Sequence, residues 1–151
     1  MLSGTELASR GEICAFCVLD DELLLVWRPS PDAADDPAFL PEEILGQTGK
    51  EYIRTYRGRI GLREPDPVPE VRMESHPMEE LWKICRDVHM SPVDRGYVRR
   101  PSDYWYSSFE TYIMRYQWPF VSTRPVTEQI TLNAFVRMHR RYRRSVPREA
   151  V

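Results

Sequence analysis

A chain of 151 residues has the size of one domain with a single hydrophobic core. Apolar residues make up 42% and charged residues 29% of the chain, a composition that excludes a disordered protein. The net charge of -2 hides a gradient, because residues 1–50 hold ten acidic and three basic side chains, whereas residues 101–151 hold four and eight. We therefore expect a cytoplasmic protein without a membrane partner, whose C-terminal half can bind a polyanion.

The first predicted element is a β-hairpin. Its strands are the apolar runs from Glu12 to Val18 and from Glu22 to Trp27, and the pair Asp20 and Asp21 forms the turn. The second run is apolar at nearly every position, which predicts a strand that is covered on both faces.

Cys14 and Cys17 form a Cys-x-x-Cys sequence within the first strand. Strand positions three residues apart point to opposite faces of a sheet, and no second pair of cysteines follows. The odd total of three cysteines also argues against a disulfide framework. The pattern favours buried free thiols over a zinc site.

The middle of the chain predicts a proline-rich loop from Arg28 to Pro41 and a helix from Pro41 to about Arg57. A further helix begins near Ser75 and ends at Pro92. Its buried stripe follows helical spacing and consists of Met78, Leu81, Trp82, Cys85 and Val88. Asp87 lies near the C-terminal end of this helix and off the stripe, and His89 lies at that end in a structural role, where a cation is favourable.

The C-terminal third predicts a short aromatic helix after Pro101, and a last helix from Pro125 through Tyr142. Of the aromatic run, we expect Tyr104 and Phe109 in the core, with other rings free to stack on bases. Basic side chains are dense here, which favours phosphate binding over a merely solvated face. The predicted DNA-binding residues are Arg95, Arg99, Arg100, Trp105, Arg137, Arg140, Arg141, Arg143 and Arg144.

One block of sequence resembles a known family. The block reads His89-Met90-Ser91-Pro92-Val93, Gly96-Tyr97-Val98, Arg100-Pro101-Ser102-Asp103-Tyr104 and Ser107-Ser108-Phe109, with Tyr112 beyond. It is similar in order and spacing to the C-terminal block of the REP-associated tyrosine transposases, which belong to the single-tyrosine HUH nucleases. Weaker similarity at Glu51 to Tyr56 and at Arg72 extends the resemblance to residues 11–114.

The resemblance implies an α+β, ferredoxin-like HUH transposase fold over residues 11–114, followed by a C-terminal helix with a basic tail over residues 115–151. Only eleven residues precede Glu12, too few for the family's first strand and helix. The expected fold therefore lacks both, and an unpaired sheet edge would favour a homodimer or pairing with an intact transposase.

The resemblance also implies a chemistry, in which two strand histidines hold a divalent metal and a helix tyrosine attacks the scissile phosphate. Glu22 and Leu24 stand at the histidine positions of this chain, and Asp87 stands at the tyrosine position. Ser91 replaces an asparagine beside it. A leucine cannot bind a metal, so no catalytic residue is intact and Glu22 is at best a weak metal ligand.

The function implied is that of a bacterial, mobile-element-derived protein that binds single-stranded or hairpin DNA without cleavage and without a cofactor. Two alternatives stay open. One is an active nickase that uses Mg or Mn, with Glu22 as a ligand and a displaced nucleophile such as Tyr52 or Tyr56. The other is an inert remnant that pairs with an intact transposase.

Overall fold

The computed structural model describes residues 11–20, 22–30, 74 and 76–140. These residues form an α+β structure, which confirms the predicted class. Strands β1 (Gly11–Val18) and β2 (Leu23–Pro29) precede helices α1 (Leu81–Asp94), α2 (Phe109–Tyr112), α3 (Arg124–Thr127) and α4 (Leu132–Arg140). None of these helices is long and apolar enough to cross a membrane. The predicted helix after Pro41 and the chain beyond Arg140 lie outside the described residues.

The two strands form the predicted antiparallel hairpin, in which Val18 pairs with Leu23 at the turn and Gly11 pairs with Pro29 at the open end. The other edge of β1 is also occupied. The amide of Val18 donates to the carbonyl of Tyr106 at 2.9 Å, and the amide of Ser122 donates to the carbonyl of Ile13 at 2.8 Å. The second edge of β1 is therefore covered by the C-terminal half of this same chain.

The two strands differ in how deeply they are buried. From Cys14 to Val18 every β1 side chain is buried, whereas within β2 only Val26 is buried among the described residues. Both faces of β2 nevertheless contact the core as predicted, because Leu24 and Val26 pack in one cluster and Leu23 and Leu25 pack against the other.

A β-bulge between Ile13 and Ala15 changes the direction of the Cys14 side chain. As a result Cys14 and Cys17 belong to the same core cluster, and the prediction that they point to opposite faces was wrong. Both thiols are free and buried. Burial raises the pKa of each to about 12, so they are protonated at neutral pH, as the buried-thiol interpretation expects.

Helix α1 packs on β1 through Leu81, Cys85 and Val88, as predicted, whereas Met78 precedes the helix and is 49% exposed. The predicted end at Pro92 was wrong, since the helix continues to Asp94. Gly96, at φ 78°, supplies the left-handed turn that ends it. The amide of Tyr97 then donates to the carbonyl of Pro92 at 2.9 Å, and that of Gly96 to Val93 at 3.0 Å, a Schellman motif.

The predicted last helix is divided in two. Pro125 lies in the first turn of α3, which begins one residue earlier at Arg124, and α4 has its own start, where Thr131 Oγ1 accepts a hydrogen bond from the Ala134 amide at 3.2 Å. Val126 and Phe135 are fully buried in the same core as the β1 residues. Residues from both ranges predicted as domains, 11–114 and 115–151, therefore share one core.

Candidate nucleic-acid interface

A buried network of hydrogen-bonded polar side chains joins four parts of the fold. The Nδ1 atom of His139 on α4 lies 2.8 Å from the carbonyl of Phe135, which can only accept, so Nδ1 carries the hydrogen. His139 Nε2 must then accept from His89 Nδ1 on α1, 2.9 Å away. His89 Nε2 in turn accepts from Ser108 Oγ at 2.6 Å. Ser108 Oγ also accepts from the Phe16 amide of β1 at 2.9 Å.

Both imidazoles are neutral within this network. Burial, together with His139, holds the pKa of His89 well below its usual range. Burial lowers the pKa of His139 to about 4, with the Arg86 charge acting in the same direction. The prediction of a favourable His89 cation at a helix end was therefore wrong, because the residue is buried and lies five positions before Asp94. Its structural role is confirmed.

Glu22, which the resemblance aligns with the first histidine of the transposases, forms an ion pair. The carboxylate of Glu22 accepts a hydrogen bond from the guanidinium of Arg95, just beyond the end of α1. Leu24 packs against the core cluster. Glu22 therefore anchors the hairpin turn to α1, and Arg95, a predicted DNA-binding residue, has its charge balanced within the protein.

Asp87, at the position of the family tyrosine, lies in the middle of α1 and not near its end as predicted. It is exposed, off the buried stripe as predicted, and paired with Arg86 Nη2 at 3.1 Å. Eight residues of helix, about 12 Å, separate it from Arg95 and hence from the residue that binds Glu22. The hydroxyl of Ser91 donates to the carbonyl of Asp87 at 3.1 Å. These positions do not converge on one point.

Among the described residues, no group of three or more His, Cys, Asp or Glu side chains is placed to hold a metal ion. Tyr52 and Tyr56, the suggested replacement nucleophiles, lie outside the described residues.

The basic side chains of the described surface differ in how far they are neutralised. Arg99, Arg137 and Arg140 are exposed and form no ion pair with another described residue. Arg100 is also exposed, and its Nε lies 4.0 Å from a carboxylate oxygen of Asp103. Arg141, Arg143 and Arg144 lie outside the described residues. Free guanidinium groups are thus present at two places, the end of α1 and the exposed face of α4.

Four rings, those of Trp105, Tyr116, Trp118 and Phe120, form an aromatic cluster. The Trp105 and Tyr116 rings are 5.2 Å apart and are 43% and 41% exposed. Trp118 connects the cluster to the sheet, since its ring lies 5.2 Å from that of Phe16. Tyr104 and Phe109 are buried, as predicted from the sequence. The rings are therefore divided between core and surface.

Arg115 links this cluster to the turn at Ser102. It donates to the carbonyl of Ser102 at 2.8 Å, and its Nε lies 3.4 Å from the buried carboxylate of Glu110. Ser102 is two residues beyond Arg100 and three before Trp105. Two arginines thus lie near the exposed rings, and each has a carboxylate beside it, Glu110 for Arg115 and Asp103 for Arg100.

A groove of about 640 Å³ lies between the end of α2 and one face of α4. Its α4 wall carries Asn133, Val136, Arg137 and Arg140, and Met114 forms part of the opposite wall. Met114 is two residues before Tyr116, so their Cα atoms are at most about 7 Å apart. The groove and the aromatic cluster are therefore formed in part by neighbouring residues of the chain.

Three of these residues, Met114, Arg115 and Tyr116, were missed by the sequence analysis, as was His139. The sequence patterns that predict binding residues lie on either side of them. The aromatic run ends at Tyr112, and the basic cluster begins at Arg137. The segment between them has no helical or strand periodicity.

Comparisons with known proteins give no relative. No family model matches the chain, and no curated protein and no solved structure matches it either.

Proposed function

We propose that this chain is a DNA-binding protein derived from a single-tyrosine transposase, and that it binds single-stranded or hairpin DNA without cutting it. The ferredoxin-like HUH ancestry belongs to the same proposal and rests on the block from His89 to Tyr112. The observation that carries the binding function is the exposed pair Trp105 and Tyr116, beside which Arg115 contacts the turn that follows Arg100.

Binding follows from the properties of these groups. Every base has a π face, so an exposed ring can receive any unpaired base, at a gain of about 1–3 kcal/mol per base. The arginines bind the phosphates that join such bases. A duplex hides its base faces, whereas a single strand or a hairpin loop offers them.

The absence of cleavage follows from the former catalytic positions. Glu22 is bound to Arg95, Leu24 packs in the core, and Asp87 lies on the exposed middle of α1. A carboxylate is also a poor substitute for the phenol that the family joins to the cut strand. The aligned positions therefore supply neither a metal site nor a nucleophile.

The test is incubation of the purified protein with a labelled strand that carries a hairpin and a single-stranded tail, with manganese present. A shifted band on a native gel with no adduct on a denaturing gel is the expected result. Trp105→Ala should weaken the shift, whereas Met78→Ala, at an exposed apolar site far from the arginines in sequence, should not.

Two other results would replace the proposal. An adduct that survives denaturation would show an active nickase with a displaced nucleophile. A protein that gives no shift at any salt concentration would not be a DNA-binding module, and pairing with an intact transposase would then be the function to test.

A further inference from the structure

We infer that the groove between α2 and α4 is a subsite for one nucleotide of a bound single strand, with the base against Met114 and Val136 and the phosphate on Arg137 and Arg140. This inference rests on the proposed function and adds a second, separate contact to it. The aromatic cluster supplies stacking, whereas the groove supplies a pocket with phosphate ligands.

The α4 wall has the chemistry of a nucleotide site along a single helix face. Asn133, Val136, Arg137 and Arg140 stand at positions i, i+3, i+4 and i+7, so they share one helix face, while Phe135 and His139 fill the opposite, buried face. The side-chain amide of Asn133 offers both a donor and an acceptor to the edge of a base.

Arg137 and Arg140 are three residues apart on this face, and neither forms an ion pair with another described residue. Like charges at this spacing destabilise a helix slightly. A phosphate placed between them would remove the repulsion and accept charge-assisted hydrogen bonds from both guanidinium groups. Charge complementarity therefore favours an anionic occupant over an apolar peptide.

Met114 lies on the facing wall of the groove. It is the one non-glycine residue with positive φ among those described, at 60°, and its side chain is 73% exposed. Its left-handed backbone ends α2 as Gly96 ends α1, because the Met114 amide donates to the Thr111 carbonyl at 3.1 Å and the Arg115 amide to the Glu110 carbonyl at 2.9 Å. The flexible, polarisable side chain is thereby placed at the rim of the groove, where it can cover a base.

The buried state of the native cysteines makes a direct test practical. Cys14, Cys17 and Cys85 are the three cysteines of the chain, all buried, and burial raises the pKa of each thiol. Met114→Cys therefore introduces a single accessible thiol for an environment-sensitive fluorophore. Met78→Cys, at another exposed methionine, is the matched control.

A short oligothymidylate should change the fluorescence of the labelled Met114→Cys protein and leave the labelled Met78→Cys protein unchanged. Arg137→Gln and Arg140→Gln should each weaken oligothymidylate binding about tenfold, the loss of one charge-assisted contact. Arg124→Gln should have no such effect, because Arg124 is paired with Glu128 at 2.9 Å.

The possible failures are distinguishable. If the protein binds labelled oligothymidylate but the probe and the two arginine variants do not respond, the groove is not a subsite and the proposed function stands. If it binds the hairpin-tailed strand but no oligothymidylate, the inference alone fails, and if it binds neither, both fail. If thymidine monophosphate alone changes the probe as strongly, the groove takes a free nucleotide and not a unit of a strand.

Discussion

His89 Nδ1 donates a hydrogen bond to His139 Nε2 over 2.9 Å, and this contact connects α1 to α4 inside the core. Its two ends are fixed by the Phe135 carbonyl and the Ser108 hydroxyl, so the network has one arrangement of hydrogens when both rings are neutral. A proton added to His139 Nε2 would face the hydrogen on His89 Nδ1 and place two donors together.

We expect stability to depend on pH through this pair. The pKa of His139 is about 4 in the folded chain against an ordinary value of 6.5, so the unfolded chain binds more protons between these values. The neutral His139 therefore makes its full contribution to the free energy of unfolding above about pH 6.5. This contribution decreases as pH falls toward 4, by up to about 3 kcal/mol.

The measurement is urea unfolding of the native chain and of His139→Gln across pH 4 to 7. The His139→Gln variant should show a weaker dependence of the free energy of unfolding on pH. His76→Gln, at an exposed histidine, should show the same dependence as the native chain. The buried Glu110 carboxyl has a raised pKa and acts with the opposite sign, which is why the difference between variants is the informative quantity. Equal slopes for all three proteins would contradict a neutral buried pair.

Ser108→Ala should destabilise the fold by about 1–3 kcal/mol. Its hydroxyl connects the Phe16 amide to His89, and both partners would stay buried without it. Ser91→Ala removes a hydroxyl that bonds only its own helix and should change stability by less than about 0.5 kcal/mol. Chemical denaturation of the two variants would decide this, and equal losses would refute the bridging role.

Gly96→Ala should cost about 1–2 kcal/mol in the same assay. An added Cβ meets no atom within 4 Å, so the cost arises from the left-handed backbone at φ 78° and not from a collision. Gly96→Asn should cost less, because asparagine tolerates this conformation. Asparagine and alanine variants of equal stability would argue against a Schellman end to α1.

Asp87→Tyr should place a tyrosine where the resemblance aligns the transposase nucleophile, without producing cleavage. The position is exposed, so the variant should fold, but Glu22 remains bound to Arg95 and Leu24 remains in the core. We expect no denaturant-resistant adduct with hairpin DNA and manganese. Formation of such an adduct would mean that the metal site is assembled elsewhere in the chain.

Arg99→Gln should reduce the salt dependence of single-strand binding, because Arg99 forms no ion pair with another described residue. Loss of one phosphate contact lowers the slope of log affinity against log salt by about 0.7. Arg95→Gln should change the slope less, since Arg95 is balanced by Glu22. Affinity measured by anisotropy at several salt concentrations tests both, and an unchanged slope for Arg99→Gln would remove it from the interface.

The sequence by itself predicted the features that depend on neighbouring residues. Alternating turn and apolar residues predicted the hairpin, helical spacing predicted the face of α1 that carries Cys85 and Val88, and the charge gradient predicted exposed arginines in the C-terminal half. Each of these signals is contained within a short window of the chain.

The tertiary structure alone decided which distant groups meet. The pairs Glu22 with Arg95 and His89 with His139, and the coverage of β1 by Tyr106 and Ser122, join residues far apart in sequence. Such contacts form because buried polar groups must find partners in the folded core, wherever the chain brings them together. Periodicity and turn preference carry no information about which partner that will be.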